Sequence, residues 1–363
     1  MQSRNPKVLI TLREDGKNGG PYISHKNILH SSLSEKYELI PFYNPNARKM
    51  RNFKVFFKVV RDIKKIKPDL AHIAGLQIEG FLLSLACKLA GVKTVVAVHG
   101  SATQAIGISK LQNSIFKILE KVTLLMSKAS FGVSDYVSSW NICKNAKNYY
   151  GTIYNIVNIY ENAPSKPYIR EELGIAKSDI VVVSTGRITR DKGFDDLWEV
   201  IKQLKAYPNI KFVIAGEGDC REEWLTEIKK YGFENNVFLL GYRNDIDAIL
   251  KESDIFIICT KHETLCISLL EAASNSLPLI ASNVGGIPEI IEKGENGFLA
   301  EVGDIGGFKS AVLKLAGNKE LRNQMGAKAK LKVDTVFNEN DIVAKLDNIY
   351  KCVIGGKNGK RKS

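Results

Sequence analysis

A chain of 363 residues with 44% hydrophobic and 25% charged residues has the composition of a globular protein and is too long for one small core, which excludes a disordered polymer and points to two domains. Its net charge of +13 is unevenly placed, because residues 1–160 hold 23 Lys+Arg against 9 Asp+Glu while the remainder is nearly neutral. No stretch reaches the ~18 uncharged apolar residues of a membrane span, and MQSRNPKVLI runs into a strand pattern without a signal-peptide apolar region, so a cytoplasmic protein is expected.

In chain order, short β-branched runs alternate with longer amphipathic ones. Strands are predicted at 7–12, 69–75, 94–100, 130–134, 179–186, 210–216, 237–242, 254–260 and 277–282, and helices at 79–91, 110–128, 193–206, 220–232 and 244–252. This alternation implies an α/β fold with parallel sheets covered by helices on both faces. The strands form two groups separated by the polar, Pro-containing stretch 158–179. The expected division is a Rossmann-like N-terminal domain over 1–160 and a second over 161–340. A C-terminal helix at 341–352 would pack back on the first domain, and the basic segment 353–363 would be a mobile tail.

The helix predicted within RKMRNFKVFFKVVRDIKKIK, residues 48–67, carries nine basic residues and one acidic residue. Phe53, Phe56, Val60 and Ile63 recur at helical spacing and are expected to face the sheet, while Lys54, Lys58, Arg61 and Lys65 form a second stripe. The bland reading is a solvated crossover helix. The charge of the whole half favours contact with an anionic membrane. Nucleic acid is not expected as a partner, because aromatic and basic residues do not interleave as a single-strand platform requires.

Several loops carry groups suited to an anionic ligand. Gly16, Gly19 and Gly20 lie between the first strand and a helix, where backbone N–H groups can face an anion, although simple chain reversal would also explain them. In STGRITRDKGFDDL, Arg187 ends a strand and Lys192 precedes a helix, an arrangement suited to a diphosphate at the carboxyl edge of a parallel sheet. His99 ends the strand of TVVAVHGS, where a lone histidine is more often packed than catalytic. The six cysteines show neither CxxC pairs nor histidines at metal-ligand spacing, so reduced, buried thiols are expected.

KHETLCISLLEAASNSLPL, residues 261–279, places Glu271 in an apolar helix, where an ionised carboxylate is costly without a partner. Eight residues of helix turn about 800°, so Glu263 and Glu271 would not share a line on one helix. Glu263 is therefore expected in the preceding loop. The helix would begin near Cys266–Ser268 and point its dipole at an anion. GGIPEIIEKGENGFL reads as a loop entering a helix and then a turn into a short strand.

These motifs, with PDLAHIAG, SFGVSDYV and VFLLGYRNDI, resemble in order and spacing the retaining glycosyltransferases of family four, which have the GT-B fold of two Rossmann-like domains facing across a cleft. The resemblance covers almost the whole chain. It implies transfer of a sugar from a nucleotide-sugar donor to an acceptor expected to be lipid-linked, in polysaccharide or lipopolysaccharide synthesis at the inner face of the cell membrane. It implies no metal and no cofactor. The catalytic group would comprise His99, Arg187, Lys192 and Glu263, with the two cations on the donor diphosphate. Glu271 would accept the ribose hydroxyls. Glu263 and the backbone from Thr264 through Leu265 and Cys266 to Ile267 would contact the sugar. Gly186, Gly241 and Tyr242 would border the nucleotide, and His99 with the Gly19–Gly20 loop would close over the donor. Asp245 and Asp247 are read as incidental rather than as metal ligands. Cys266 and Ser276 stand where this family usually has glycine, and Cys266 marks the place to look for donor preference. The alternatives are a GT-B epimerase or a non-catalytic scaffold that binds nucleotide sugar.

Overall fold

The computed structural model describes residues 4–14, 19–104, 109–157 and 169–356. Gly16, the segment 158–168 and residues 357–363 of the expected tail lie outside the described residues. The chain divides into two compact units, 1–157 with 337–363, and 158–336.

The first unit holds β1 (Lys7–Arg13), β2 (Glu38–Asn44), β3 (Leu70–Ala74), β4 (Thr94–Val98), β5 (Ala129–Gly132) and β6 (Tyr149–Thr152). They form one parallel sheet in the order β2-β1-β3-β4-β5-β6. The second unit holds β7 (Ile180–Thr185), β8 (Ile210–Ala215), β9 (Val237–Gly241), β10 (Ile255–Ile258), β11 (Leu279–Ser282) and β12 (Gly297–Ala300). Its parallel sheet runs β12-β11-β10-β7-β8-β9. Strand order reverses between β1 and β3 in one sheet and between β7 and β10 in the other. At such switch points the loops leave in opposite directions and open a crevice at the carboxyl edge.

Every residue of β4, β5, β7, β10 and β11 is buried. These near-continuous apolar runs, broken only by small hydroxyl residues, are what a strand covered on both faces favours, and they are legible in the sequence for that reason. The edge strands β2 and β6 are not. ELIPFYN is only partly buried and contains Pro41, which an edge position tolerates, and YYGT is half-buried throughout.

On one face of the first sheet, Ile28 of the helix Gly20–His30 shares a core with Val8, Ile10 and Val95. The same core holds Ile342, Leu346, Ile349 and Tyr350 of the helix Glu339–Ile354. Tyr350 is fully buried and meets Nδ1 of His72 at 2.7 Å, while Tyr37 donates to Asp347 at 2.8 Å. Polar bonds as well as apolar burial therefore fix this terminal helix to the first unit.

The opposite face carries Phe53–Ile66, Ile78–Ala90 and Lys110–Met126, each packed on the next. This arrangement follows from right-handed crossovers once the strand order has reversed. In the first of these helices Phe56, Val60 and Ile63 are buried as expected, but Phe53 is 78% exposed. Phe53 is the first helical residue, after the cap Asn52, and a helical side chain leans over the turn N-terminal to itself. With no such turn beneath it, the ring projects past the end of the packed face. Lys54, Lys58, Arg61 and Lys65 are all exposed.

Five of the six free cysteines are buried and Cys352 is partly exposed. Among the described residues, no helix is long and apolar enough to cross a membrane.

Candidate functional site

The site in the second unit is built by loops held at backbone contact. A side chain on Gly216 would place its Cβ 1.7 Å from the Gly186 carbonyl oxygen, and one on Gly218 would come 2.2 Å from that of Ile188. Gly193, at φ +70°, would strike the Cys259 carbonyl oxygen at 1.7 Å. Gly285, at φ +58°, would strike that of Glu263 at 1.7 Å, and Gly286 that of Thr264 at 2.2 Å. The loops after β8, β7, β10 and β11 are thus joined in spatial order, with no room for a β-carbon between them. That contact sets the positions of the charged groups they carry.

Lys192 follows β7 and Glu263 follows β10, on the two sides of the switch point, and their side chains form an ion pair. Both are largely buried, at 19% and 15% exposure. Arg187 behaves differently: half exposed, it pairs with Asp191 at 3.3 Å, and Thr189 donates to the other Asp191 oxygen. Despite partial burial, the Thr189 bond and the charges of Arg187 and Lys192 hold the Asp191 carboxyl below its ordinary range.

The helix Ile267–Ser274 begins where the sequence places it, with Cys266 as its N-cap residue. Cys266 is buried, and its sulfur lies 3.3 Å from Ser268 Oγ. Burial pushes its thiol up to about 12, with Glu263 adding to the rise and Lys192 opposing it. The thiol is therefore neutral. Ser276, just past this helix, has φ +59°. The backbone requires the left-handed conformation there, which costs a serine about 1 kcal/mol.

Glu271 lies on that helix, partly buried, and among the described residues its carboxylate has no hydrogen-bond or ion-pair partner. Burial raises its carboxyl to about 7, with Asp247 contributing a like charge. Asp247 is itself bound by Lys251 at 2.6 Å and by the Asn275 amide at 3.1 Å. Asp245 takes two bonds from Arg243. Each aspartate already has a cationic partner, and among the described residues no cluster of three or more His, Cys, Asp or Glu has metal-binding geometry.

Because Glu271 stays protonated up to about pH 7 in the folded chain, against 4.5 for an ordinary glutamate, folding retains a proton that the unfolded chain releases. Stability therefore falls as pH rises between those values, and the full penalty persists above them. Glu271→Gln should raise the melting temperature at about pH 8 and leave it unchanged at about pH 4. Calorimetry at the two pH values checks this, and an equal shift at both would refute it.

Gly241 closes β9 at φ +66°, and Tyr242 beyond it is 61% exposed. A side chain on Gly241 would meet Glu217 Oε1 at 2.7 Å, so Glu217 joins Gly186, Gly241 and Tyr242 along this part of the edge. Nothing in the sequence marks Glu217 for this place. In the first unit, Gly19 is the N-cap of Gly20–His30. His99 follows β4 and is only 8% exposed. Its ring lies 5.7 Å from that of His25, which in turn lies 4.6 Å from His72. Burial, then the neighbouring His25, lowers His99 to about 3, so it presents a neutral imidazole. Neither His25 nor His72 stands out in the sequence, where His25 lies among Ser24, Lys26 and Asn27 and His72 in an apolar run.

Comparison with known proteins supplies the rest. Residues 165–332 match the family model described as glycosyl transferases group 1, and residues 23–129 match that of glycosyl transferase 4-like proteins. The chain is 28% identical over 336 residues to the Escherichia coli UDP-Gal:alpha-D-GlcNAc-diphosphoundecaprenol alpha-1,3-galactosyltransferase, covering 88% of this chain and 84% of that protein. It is 25% identical over 297 residues to the N-acetyl-alpha-D-glucosaminyl L-malate synthase of Bacillus anthracis, covering 80% and 77%. The Anabaena HepE structure in complex with UDP and glucose superposes with a TM-score of 0.78 at 20% identity, covering 95% and 99%. The fold is GT-B.

Proposed function

We propose, on the premise that this chain belongs to the group 1 glycosyltransferases of the family-four type, that it transfers a sugar from a nucleotide-sugar donor to a lipid-linked acceptor with retention of anomeric configuration and without a metal. The observation that carries this reading is the pairing of Lys192 with Glu263 across the β7–β10 switch point, beside the N-terminus of Ile267–Ser274.

In this reading, Lys192, Arg187 and the helix N-terminus neutralise the donor diphosphate, on which negative charge grows as the glycosidic bond breaks. Glu263 receives sugar hydroxyls. The Glu271 carboxylate accepts the two ribose hydroxyls, which favours its ionised form, so donor binding near neutral pH releases a proton. The acceptor hydroxyl attacks from the face that the phosphate leaves, and its proton passes to the departing phosphate oxygen. No enzymic nucleophile is required. In the first unit, His99 is held neutral at the carboxyl edge that also carries the Gly19–Gly20 turn.

A uridine donor is favoured by the UDP-Gal and UDP in the names of a relative and a structural neighbour. A lipid diphosphate acceptor at the inner membrane face is favoured by the diphosphoundecaprenol of the same relative and by the basic first 160 residues. The test is a binding and slow-hydrolysis screen against UDP-, GDP-, ADP- and dTDP-sugars, followed by NMR of the transferred sugar in the presence of a chelator. A UDP-sugar that binds and yields a product of unchanged anomeric configuration is expected. Binding without turnover would leave a scaffold, and an inverted product would refute the mechanism.

A further inference from the structure

The exposed apolar surface of the first unit is concentrated on two helices. Along Lys110–Met126, Leu111, Ile115, Ile118 and Leu125 are 72%, 47%, 62% and 58% exposed. Their spacing of four, three and seven residues puts them in one outward stripe. The opposite side, with Glu120, Thr123 and Leu124, is buried. This helix therefore carries an outward apolar stripe besides the side that is buried beside Ile78–Ala90. On Phe53–Ile66, Phe53 and Phe57 are 78% and 52% exposed and stand one turn apart. Single exposed apolar residues are ordinary, but four in register on one helix form a surface that asks for an occupant.

The charges on these helices indicate which occupant. On Lys110–Met126 the exposed charged residues are Lys110, Lys117 and Lys121. Glu120 is buried, its carboxylate accepting from Ser101 and the Ala102 N–H. On Phe53–Ile66 Lys54, Lys58, Arg61, Lys64 and Lys65 are exposed, and Asp62 is partly covered. Crossover helices run antiparallel to the strands they connect, so the first turns of both helices lie towards the carboxyl edge of their sheet. That edge also carries His99 and the Gly19–Gly20 turn. A second copy of the chain docked about a two-fold axis would set these lysines against like charges. An anionic bilayer complements them.

We propose that this face lies on an anionic membrane, with Leu111, Ile115, Ile118, Phe53 and Phe57 entering the headgroup–acyl boundary and the flanking lysines resting over lipid phosphates. The inference rests on the membrane-acceptor reading above and deepens it, since the anchor is apolar as well as electrostatic. Docking in this way would bring the acceptor's headgroup to the edge where His99 lies. Attraction to the charges weakens with salt, whereas the inserted side chains hold independently of it.

Flotation of the full chain with vesicles of phosphatidylcholine, with and without phosphatidylglycerol, at low and high salt, tests this. The parent protein should float with the anionic vesicles and keep part of that binding at high salt. Leu111→Ser, Ile115→Ser and Ile118→Ser combined should weaken binding about a hundredfold, including the salt-resistant part. Lys54→Gln with Lys58→Gln should reduce only the salt-sensitive part. UDP binding, measured on each variant, should stay at the parent value. A triple serine variant that floats like the parent overturns this docking face and leaves the acceptor reading standing. A parent protein that ignores anionic vesicles overturns both. A dimer in sedimentation that the triple serine variant dissolves overturns the bilayer in favour of a second copy.

Discussion

Lys192→Ala should lower kcat/KM about a thousandfold, close to 4 kcal/mol of transition-state stabilisation. The ammonium is only 19% exposed and is held in place by Glu263, so it can act on a leaving diphosphate without first being ordered or stripped of water. Arg187 is half exposed and occupied with Asp191, and Arg187→Ala should cost less. The same lysine also stabilises the fold, because its removal leaves the Glu263 carboxylate, 15% exposed, without its cation. An uncompensated carboxylate in such a place is strongly destabilising.

These two effects can be separated. Adding Glu263→Gln to Lys192→Ala removes the orphaned charge, so thermal stability should recover while transfer does not. A steady-state assay and a melting curve on the single and double variants decide the matter. Activity within tenfold of the parent for Lys192→Ala, or activity restored along with stability in the double variant, would remove Lys192 from the catalytic machinery.

What the sequence shows of this protein, and what it hides, follows from the range over which each feature acts. Buried strands such as IVVVST and IFII are legible because burial on both faces favours near-continuous apolar runs. ELIPFYN and YYGT are not, because an edge strand has no such constraint. The start of Ile267–Ser274 and the loop position of Glu263 agree with the reading of the local sequence, in which rotation per residue keeps the two glutamates off one line. The Lys192–Glu263 pair cannot be read locally, since it joins residues 71 positions apart. The cluster of His25, His72 and His99 is hidden in the same way, assembled from a helix, the middle of one strand and the end of another. Glycines read as turn formers, yet at Gly216, Gly218 and Gly286 it is the absence of a β-carbon against a neighbouring loop that matters. Nothing local in the sequence distinguishes those two uses.

That difference makes Gly285→Ala the most informative structural substitution. Gly285 combines a left-handed φ of +58° with a Cβ position 1.7 Å from the Glu263 carbonyl oxygen. The backbone strain alone costs about 1 kcal/mol, and relieving an overlap with main chain requires the loops after β10 and β11 to separate, for a total of about 3 kcal/mol or more. Because Glu263 is held between this contact and Lys192, the movement should reach the donor site as well, lowering donor affinity about a hundredfold. Gly294→Ala supplies the control. It has φ +85° but nothing within 4 Å of its Cβ position, so it should cost only the strain of about 1 kcal/mol and leave donor affinity unchanged. Calorimetric melting and donor titration on the two variants separate backbone strain from loop contact. If the two alanines melt alike and bind donor alike, the glycine contact between the loops is not what positions Glu263.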